Sequence, residues 1–315
     1  MRIVFMGTPD FGVPSLRALV EAGHDVVGVF TQPDKPKGRG KQMQQSPVKE
    51  CAAGYGIPVF QPRKIRLDGV EDLRALQPDL CVTAAFGQIL SQEVLDIPRI
   101  GTVNVHSSLL PKYRGAAPVN WAIMEGETVT GVTTMMTDKG LDTGDILLRQ
   151  EVAILPGETA GELMDRLAPI GAKLLVETIR RLEEGNCPRV PQDESQMSYF
   201  PMLKKEMGLM DWRLPAEKLA CLVRGLSPWP GTYTLIGGEP LKIWRAESCD
   251  AETGKPGDIL AADGRQGLVI RAGENALRVL ELQAQGGKRM NAKDYLRGHP
   301  MDAAACDMQE ETIHG

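Results

Sequence analysis

The sequence has no paired cysteines and few histidines, and both shortages exclude kinds of protein. Its six cysteines are scattered along 315 residues without a Cys-x-x-Cys pair, and its four histidines form no dense ligand cluster with them. Disulfide frameworks and zinc sites are recognised by regular spacing of this kind. We therefore expect free thiols in a reducing compartment and no bound metal.

Long apolar runs are also missing. The apolar start of the chain, Arg2–Met6, is too short for the core of a signal peptide. No run elsewhere approaches the roughly 18 apolar residues that a membrane-spanning helix needs. The sequence predicts a cytoplasmic protein with no membrane contact. No pattern marks an oligomer interface, so a monomer is expected.

The common nucleotide-binding loops are absent as well. The first apolar run is followed by Gly7-Thr8-Pro9-Asp10-Phe11-Gly12, which is not the G-x-G-x-x-G of a dinucleotide site, and no G-x-x-x-x-G-K-[ST] occurs. The formal net charge is −5, which excludes a broadly basic nucleic-acid-binding protein. Any contact with a nucleic acid must therefore be local.

What is present in the first half is an alternation of strand and helix patterns. Short apolar runs alternate with helical periodicity, and this order predicts an α/β fold with a doubly wound, mostly parallel sheet. Ser46-Pro47 has the pattern of an N-cap followed by proline at the first helical position. The predicted strands are Arg2–Met6, Asp25–Phe30, Pro58–Phe60, Leu80–Ala85 and Thr102–His106, and the predicted helices are Pro14–Ala22, Pro47–Tyr55, Asp68–Leu76 and Ser91–Leu95.

The second half has a different pattern. Thr159–Glu184 predicts a long amphipathic helix that Pro169 should kink or split. Prolines among polar residues near Asn186–Lys205 indicate an ordered linker. A helix and several short strands then predict a smaller β-barrel. We expect a catalytic domain at 1–188, a linker at 189–206 and a barrel domain at 207–315. The predicted elements are a helix at Pro215–Arg224 and strands at Thr232–Ile236, Leu241–Ala246, Gly267–Arg271 and Ala276–Leu282.

Candidate chemistry lies at the end of the last predicted strand of the sheet. Ligands of open parallel sheets bind outside the carboxyl ends of the strands. Alternation places Asn104 and His106 on one face of that strand, with Val105 on the other. A loop rich in glycine and acidic residues, 137–145, could bring the Asp142 carboxylate beside the imidazole.

These three residue types suit acyl transfer to an amine. Asn104 and a protonated His106 could stabilise the oxyanion that forms when an amine attacks an acyl carbon. A carboxylate at Asp142 could take up the amine proton, directly or through water, or orient the imidazole. Spacing alone leaves open that His106 is an ordinary strand-end residue and Asp142 a turn former.

Longer motifs point to a family. They are Met6-Gly7-Thr8-Pro9-Asp10-Phe11, the loop Gln32–Gly40, Asn104-Val105-His106 with Ser108–Gly115, and Gly140–Asp145. With these motifs the chain resembles the methionyl-tRNA formyltransferase family, whose first domain is shared by formyltransferases that use 10-formyltetrahydrofolate. The resemblance implies that Asn104, His106 and Asp142 are catalytic. It further implies folate contacts by Ser108, Leu109, Leu110 and Pro111 and by Phe86, Gly87, Gln88 and Ile89. Ser107 departs from the glycine or alanine that is frequent in the family.

The resemblance also implies the amine acceptor. Family members that act on tRNA carry a basic insertion after the second strand, and a mobile basic loop can reach phosphates. The C-terminal domain resembles the family's OB-type barrel, marked by Arg224–Thr232 and by Gly286–Met290 with Asp294–Gly298. Initiator methionyl-tRNA is thus the expected partner. The expected tRNA contacts are Lys35, Lys37, Arg39, Lys41, Lys288 and Arg289.

Three alternatives stay open from the sequence. The chain could formylate another amine, on a nucleotide or an amino sugar, or pass the formyl group to water. It could also be a tRNA-binding module without catalysis, although the intact Asn104, His106 and Asp142 argue against that. Trp229, between two prolines, is expected to be a packed interdomain anchor, with stacking on a base as the alternative.

Overall fold

The computed structural model describes residues 1–37, 42–301 and 304–308. The chain divides into two compact units. Unit 1 comprises Met1–Pro118, Val129–Ala153 and Met164–Phe200, and unit 2 comprises Val119–Thr128, Ile154–Leu163 and Pro201–Gly315. The domain bounds expected from the sequence stay a prediction. Residues 189–200 of the expected linker belong to unit 1, and two short earlier segments belong to unit 2.

Unit 1 is built on a seven-stranded sheet. Its strand order is β10-β9-β7-β6-β1-β2-β5, with parallel pairing from β7 to β5 and antiparallel pairing of β9 with β7 and β10. Separate small pairs are β3 with β4 and β8 with β11. The strands are β1 Arg2–Gly7, β2 Asp25–Phe30, β3 Lys35–Lys37, β4 Gln42–Gln44, β5 Val59–Phe60, β6 Leu80–Ala84, β7 Gly101–His106, β8 Arg114–Gly115, β9 Val129–Met136, β10 Ile146–Ala153 and β11 Tyr199–Phe200.

Helices connect these strands, as the βα alternation predicts. Ser46 caps its helix as expected, because its side chain accepts a hydrogen bond from the backbone N–H of Lys49. The central strand β1 is buried over Ile3–Met6, in keeping with a strand covered on both faces. The helices are α1 Gly12–Glu21, α2 Pro47–Gly54, α3 Ile65–Asp68, α4 Val70–Leu76, α5 Gln92–Leu95, α6 Pro118–Met124 and α7 Ala160–Glu183.

Unit 2 contains a six-stranded antiparallel sheet with two further helices. The sheet order is β12-β13-β16-β15-β14, and β17 pairs with β16. Trp212 is fully buried in its core, where the indole N–H donates to the Thr234 hydroxyl at 2.9 Å. The elements are α8 Ala216–Gly225, β12 Thr232–Ile236, β13 Glu239–Cys249, β14 Ile259–Asp263, β15 Gly267–Arg271, β16 Ala276–Ala284, β17 Met290–Asn291 and α9 Ala292–Gly298. The predicted fold class, a mostly parallel α/β domain followed by a smaller OB-type β domain, is confirmed.

Three local predictions differ from the structure. α7 is continuous through Pro169, so of the two predicted effects of the proline, a kink or a split, the split does not occur. Asp165, whose carbonyl has no N–H to accept from at that proline, is an exposed residue. Trp229 is 54% exposed and is not a packed anchor. The expected helix Asp68–Leu76 begins later, at Val70, because Gly69 separates it from the short helix α3, which ends at Asp68. In the described parts of the chain, every helix is too short or too polar to cross a membrane.

Candidate active site

Asn104 and His106 lie at the carboxyl end of β7, as predicted. The neighbouring strand β6 runs parallel, with Thr83 in register with Asn104. Since parallel strands end at the same edge of a sheet, the segments after β6 and β7 start side by side. Asn104 is half-buried and His106 is almost fully buried. This edge therefore presents one amide and one imidazole in the same region.

The hydroxyl of Thr83 orients the side chain of Asn104. It donates a hydrogen bond to the Asn104 Oδ1 at 2.8 Å. With the carbonyl oxygen held in this way, the Nδ2 group is left as the donor end of the amide. Parallel register between two strands cannot be read from the sequence, and for that reason Thr83 was missed.

His106 is held by one nitrogen and faces a carboxylate with the other. Its Nε2 lies 3.0 Å from the carbonyl oxygen of Tyr113, which can only accept, so Nε2 carries the proton. Its Nδ1 lies 3.7 Å from the Asp142 Oδ1. That distance is too long for a direct hydrogen bond but within ion-pair range when the imidazole is protonated. The structure thus brings the predicted Asp142 beside His106.

Asp142 is fixed in a tight loop. Its backbone has a φ of +55°, a left-handed conformation that is uncommon for a residue with a side chain. Its Oδ2 accepts a hydrogen bond from the backbone N–H of Gly115 at 2.9 Å. A Cβ on Gly144 would lie 1.8 Å from the carbonyl oxygen of Met136, so only glycine fits there. Asp138 completes the loop by accepting hydrogen bonds from the Gly140 N–H and the Thr143 hydroxyl.

The arrangement offers two kinds of chemistry at one place. The Asn104 amide and a protonated His106 can donate hydrogen bonds to a developing negative charge. The Asp142 carboxylate, whose side chain is 15% exposed, can accept a proton or pair with the imidazolium. Among the described residues, no group of three or more His, Cys, Asp or Glu side chains is placed to hold a metal ion.

The segment Ser108–Pro111 forms a rigid wall after β7. Thr133 on β9 donates to the carbonyl oxygen of Ser108 and accepts from the N–H of Leu110. Arg149 on β10 donates to the carbonyl oxygen of Leu110 at 3.1 Å. Ser108, Leu110 and Pro111 are buried, the Leu110–Pro111 peptide bond is cis, and Leu109 is half-buried. Any ligand contact by the buried residues would therefore run mainly through their backbone.

The second predicted folate segment follows β6. Phe86 is buried in the core, whereas Gly87 and Ile89 are exposed. The Gln88 side chain accepts from the N–H of Ile65 at 2.6 Å and donates to the carbonyl oxygen of Pro62 at 3.0 Å. Both of its polar atoms are thus used to hold a neighbouring loop. Ile89, which is 72% exposed, is the side chain of this segment that is most open to a ligand.

The basic loop is described only at its base. Lys35 is exposed on β3, which pairs with β4 as a hairpin. Only the backbone of Lys37 is described, and Arg39 and Lys41 lie outside the described residues. At the base of the loop, the Lys49 ammonium donates to the Asp34 carboxylate at 2.7 Å. This contact, followed by a hydrogen bond from Gln61, lowers the pKa of Asp34.

Unit 2 carries the other predicted basic residues. Lys288 and Arg289 are both exposed. The Arg289 guanidinium pairs with Glu281 and also lies 5.2 Å from the ring centre of Trp244, and Lys242 Nζ lies 5.6 Å from the same ring. Sequence reasoning missed Trp244 and Lys242. Their i, i+2 spacing on a strand, with a cation beside an aromatic ring, was the available signal.

The chain matches known proteins along almost its whole length. The family model "Formyl transferase" matches residues 1–179, and "Formyl transferase, C-terminal domain" matches residues 202–300. The methionyl-tRNA formyltransferase of Geobacter metallireducens is 51% identical over 299 residues, covering 95% of this chain and 96% of the relative. That of Trichlorobacter lovleyi is 51% identical over 311 residues, covering 98% of each.

A solved structure shares the fold. It is the N-formyltransferase from Helicobacter canadensis in complex with folinic acid and dTDP-3-aminofucose, with a TM-score of 0.66 at 19% identity over 88% of this chain and 98% of that one. This likeness concerns the fold alone, whereas the two relatives at 51% identity concern the sequence of the whole chain. With both of its parts matched by formyl transferase models and with these relatives 51% identical along almost its whole length, the chain belongs to the methionyl-tRNA formyltransferase family.

Proposed function

We propose that this protein transfers the formyl group of 10-formyltetrahydrofolate to the α-amine of initiator methionyl-tRNA. The observation that carries the proposal is the site at the end of β7, where the His106 imidazole faces the Asp142 carboxylate at 3.7 Å and Asn104 lies two residues away on the same strand. The names of the relatives at 51% identity support the formyl group as the group transferred and methionyl-tRNA as the acceptor.

The proposed mechanism is direct attack of the amine on the formyl carbon. Asn104 Nδ2 and protonated His106 Nδ1 donate hydrogen bonds to the oxyanion that forms. Asp142 accepts the proton that the amine loses, directly or through one water. As the oxyanion collapses, the new C–N bond remains and the bond from carbon to the folate nitrogen breaks. That nitrogen regains its electron pair and takes up the proton that Asp142 accepted, directly or through water, so Asp142 is again a carboxylate and His106 is still protonated.

We assign the folate site to the segments after β6 and β7. These are Phe86, Gly87, Gln88 and Ile89 on one side and Ser108, Leu109, Leu110 and Pro111 on the other. Support comes from the hydrogen bonds that hold both segments in place. Thr133 and Arg149 hold the second segment, and Thr8 donates to the carbonyl oxygen of Phe86. A rigid wall loses little freedom on binding a flat ring.

We assign the tRNA contacts to two basic surfaces, one on each unit. The first is the loop with Lys35, Lys37, Arg39 and Lys41. The second is the surface of Lys288 and Arg289, which we extend to Lys242 and Trp244 because cations around an aromatic ring suit stacking on an unpaired base. We further propose a cytoplasmic monomer. The six cysteines are all free, as is usual in a reducing compartment.

A formyl-transfer assay with charged initiator and elongator methionyl-tRNA, side by side, tests the proposal. We expect transfer from 10-formyltetrahydrofolate to the initiator. Replacing Asn104, His106 or Asp142 with alanine should lower the single-turnover rate by at least ~10²-fold, the scale of losing an oxyanion donor or an acid–base group. His299→Ala is the matched control, because that ring is exposed and stacks on Tyr295 in unit 2.

Two results would contradict parts of the proposal. The first is formylation of an amino sugar or nucleotide amine without activity on methionyl-tRNA, or hydrolysis of the donor alone. Either result would show that the proposed acceptor is wrong. A near-wild-type rate in His106→Ala would remove the imidazole from the mechanism while leaving the overall reaction intact.

A further inference from the structure

Gln192 connects the Asp142 loop to a buried arginine. Its Nε2 group donates to two carbonyl oxygens of the loop, that of Asp142 at 2.7 Å and that of Gly144 at 2.8 Å. Its Oε1 accepts from the Nε of Arg114 at 3.0 Å and from the Nη2 at 2.9 Å. Every polar atom of the Gln192 side chain is thus used, and all of these contacts lie within unit 1.

Arg114 is itself fixed from two sides. Its side chain is 4% exposed and forms a two-pronged ion pair with Glu194, with Nη2 to Oε1 at 2.7 Å and Nη1 to Oε2 at 3.0 Å. Its backbone N–H donates to the carbonyl oxygen of Ser198 at 2.8 Å. The ion pair lowers the pKa of Glu194. A guanidinium in such a planar fork keeps one orientation.

The short strand β8 therefore holds both the side chain of Asp142 and the backbone of its loop. Gly115 of β8 donates its N–H to the carboxylate, while the neighbouring Arg114 holds the loop backbone through Gln192. The backbone needs this support, since Asp142 has a φ of +55°. Strained backbone conformations of this kind persist where several surrounding contacts hold them in place.

We infer that Gln192, clamped between Arg114 and the carbonyl oxygens of the Asp142 loop, is a positioning residue for the formyl-transfer reaction. Together with Arg114 and Glu194 it sets where the Asp142 carboxylate stands relative to His106. This inference rests on the proposed function. Gln192 and Glu194 lie in the segment that the sequence presents as a linker, 189–206, so that segment supplies part of the catalytic framework.

Glutamine suits this place because it has donors on one side and an acceptor on the other. Arg114 offers only donors, so it selects the Oε1 of Gln192 and turns the Nε2 toward the loop. Gln192→Glu would keep an acceptor for Arg114 but lose both donors to the loop. Gln192→Ala would lose both sides. The pair of variants separates support of the loop from anchoring of the arginine.

The test measures single-turnover formyl transfer and the steady-state constants of Gln192→Ala and Gln192→Glu. Gln196→Ala is the control, because Gln196 is exposed on the same segment and donates only to Asp193 in the described residues. We expect both Gln192 variants to lower kcat by roughly 10- to 100-fold, the scale of a misplaced catalytic group, with KM for both substrates within about twofold. The control should match the wild type.

A double-mutant cycle separates positioning from general damage. If Gln192 acts through Asp142, then Gln192→Ala should change the rate by less than about twofold in an Asp142→Asn background, because the two changes are coupled. An equal loss in both backgrounds, or a Gln192→Ala rate equal to that of Gln196→Ala, would overturn the inference.

Hydrogen exchange of the peptide that spans residues 138–145 gives a reading that needs no substrate. Faster exchange in Gln192→Ala than in Gln196→Ala supports the inference, and equal exchange overturns it. If the wild type fails to formylate methionyl-tRNA while exchange still responds to Gln192, the proposed function fails and Gln192's hold on the loop stands.

Discussion

Replacing Gly115 with alanine should damage both stability and catalysis, although Gly115 is assigned no chemical role. Its φ is +99°, a region that costs a residue with a side chain roughly 1 kcal/mol. A Cβ there would also lie 2.5 Å from the carbonyl oxygen of Phe200 and 2.8 Å from Tyr199 Cε2. The carbonyl belongs to the backbone of β11 and cannot rotate away, so the two strands must separate.

The size of the effect follows from these contacts. Overpacking of this kind costs about 1–3 kcal/mol, which brings the total with the backbone strain to about 2–4 kcal/mol. For a unit of this size that corresponds to a fall in melting temperature of roughly 4–16 °C. Because the Gly115 N–H holds the Asp142 carboxylate, a shift of β8 should also lower kcat by roughly 10- to 100-fold.

Gly23→Ala is the matched control. Gly23 has a φ of +80°, but a Cβ there would meet no heavy atom within 4 Å. Gly23→Ala should suffer only the cost of the backbone strain. We expect a fall in melting temperature of roughly 2–4 °C and an unchanged kcat. Both variants can be followed by thermal unfolding and by formyl transfer well below the melting range. If Gly115→Ala behaved like Gly23→Ala in both assays, the contact between β8 and β11 would not be holding Asp142.

Three further predictions address the same framework. Thr83→Val should lower kcat by roughly 10-fold, because it loses the hydroxyl that orients Asn104. Thr83→Ser keeps a hydroxyl and should stay within about twofold of the wild-type kcat. Equal kcat values for the two variants would refute the orienting role. Because Arg114 lowers the pKa of Glu194 below its ordinary 4.5, the ion pair stabilises the fold above that pH and ceases to do so as the pH falls through the lowered pKa. The melting temperatures of wild type and Glu194→Gln should therefore differ at neutral pH and converge in acid, and a constant difference would contradict the pair. Gly144→Ala should unfold at a much lower temperature than the wild type, since its Cβ would lie 1.8 Å from a backbone carbonyl oxygen; an unchanged melting curve would count against the loop geometry.

The basic surfaces illustrate a different limit of sequence reasoning. The family resemblance of Gly286–Met290 and the charge of its side chains selected Lys288 and Arg289, and both are exposed. The sequence could not indicate that Arg289 pairs with Glu281 and also lies over Trp244, because Arg289 is between β16 and β17, Glu281 is on β16 and Trp244 is on β13. Part of the charge of Arg289 is therefore already compensated. Because Trp244 and Lys242 lie beside Arg289, we expect them to contribute to any RNA contact at this surface.

The sequence by itself determined most elements of the parallel part of the main sheet and the face on which the first catalytic candidates stand. Strand alternation is a local property, so the positions of Asn104 and His106 on one face of β7 follow from their spacing. The capped helix after Ser46 and the parallel order of the main sheet follow from local signals in the same way.

Only the tertiary structure decided how the site is held. Thr83 reaches Asn104 from the neighbouring strand, 21 positions away, and Gln192 reaches the Asp142 loop across 50 positions. Such contacts depend on strand register and on where a returning segment settles, and neither leaves a periodic mark in the sequence. Proline and polar residues made 189–206 look like a linker. Within that segment, Gln192 donates to the carbonyl oxygens of Asp142 and Gly144, which is how a segment that looks like a linker comes to hold the Asp142 loop.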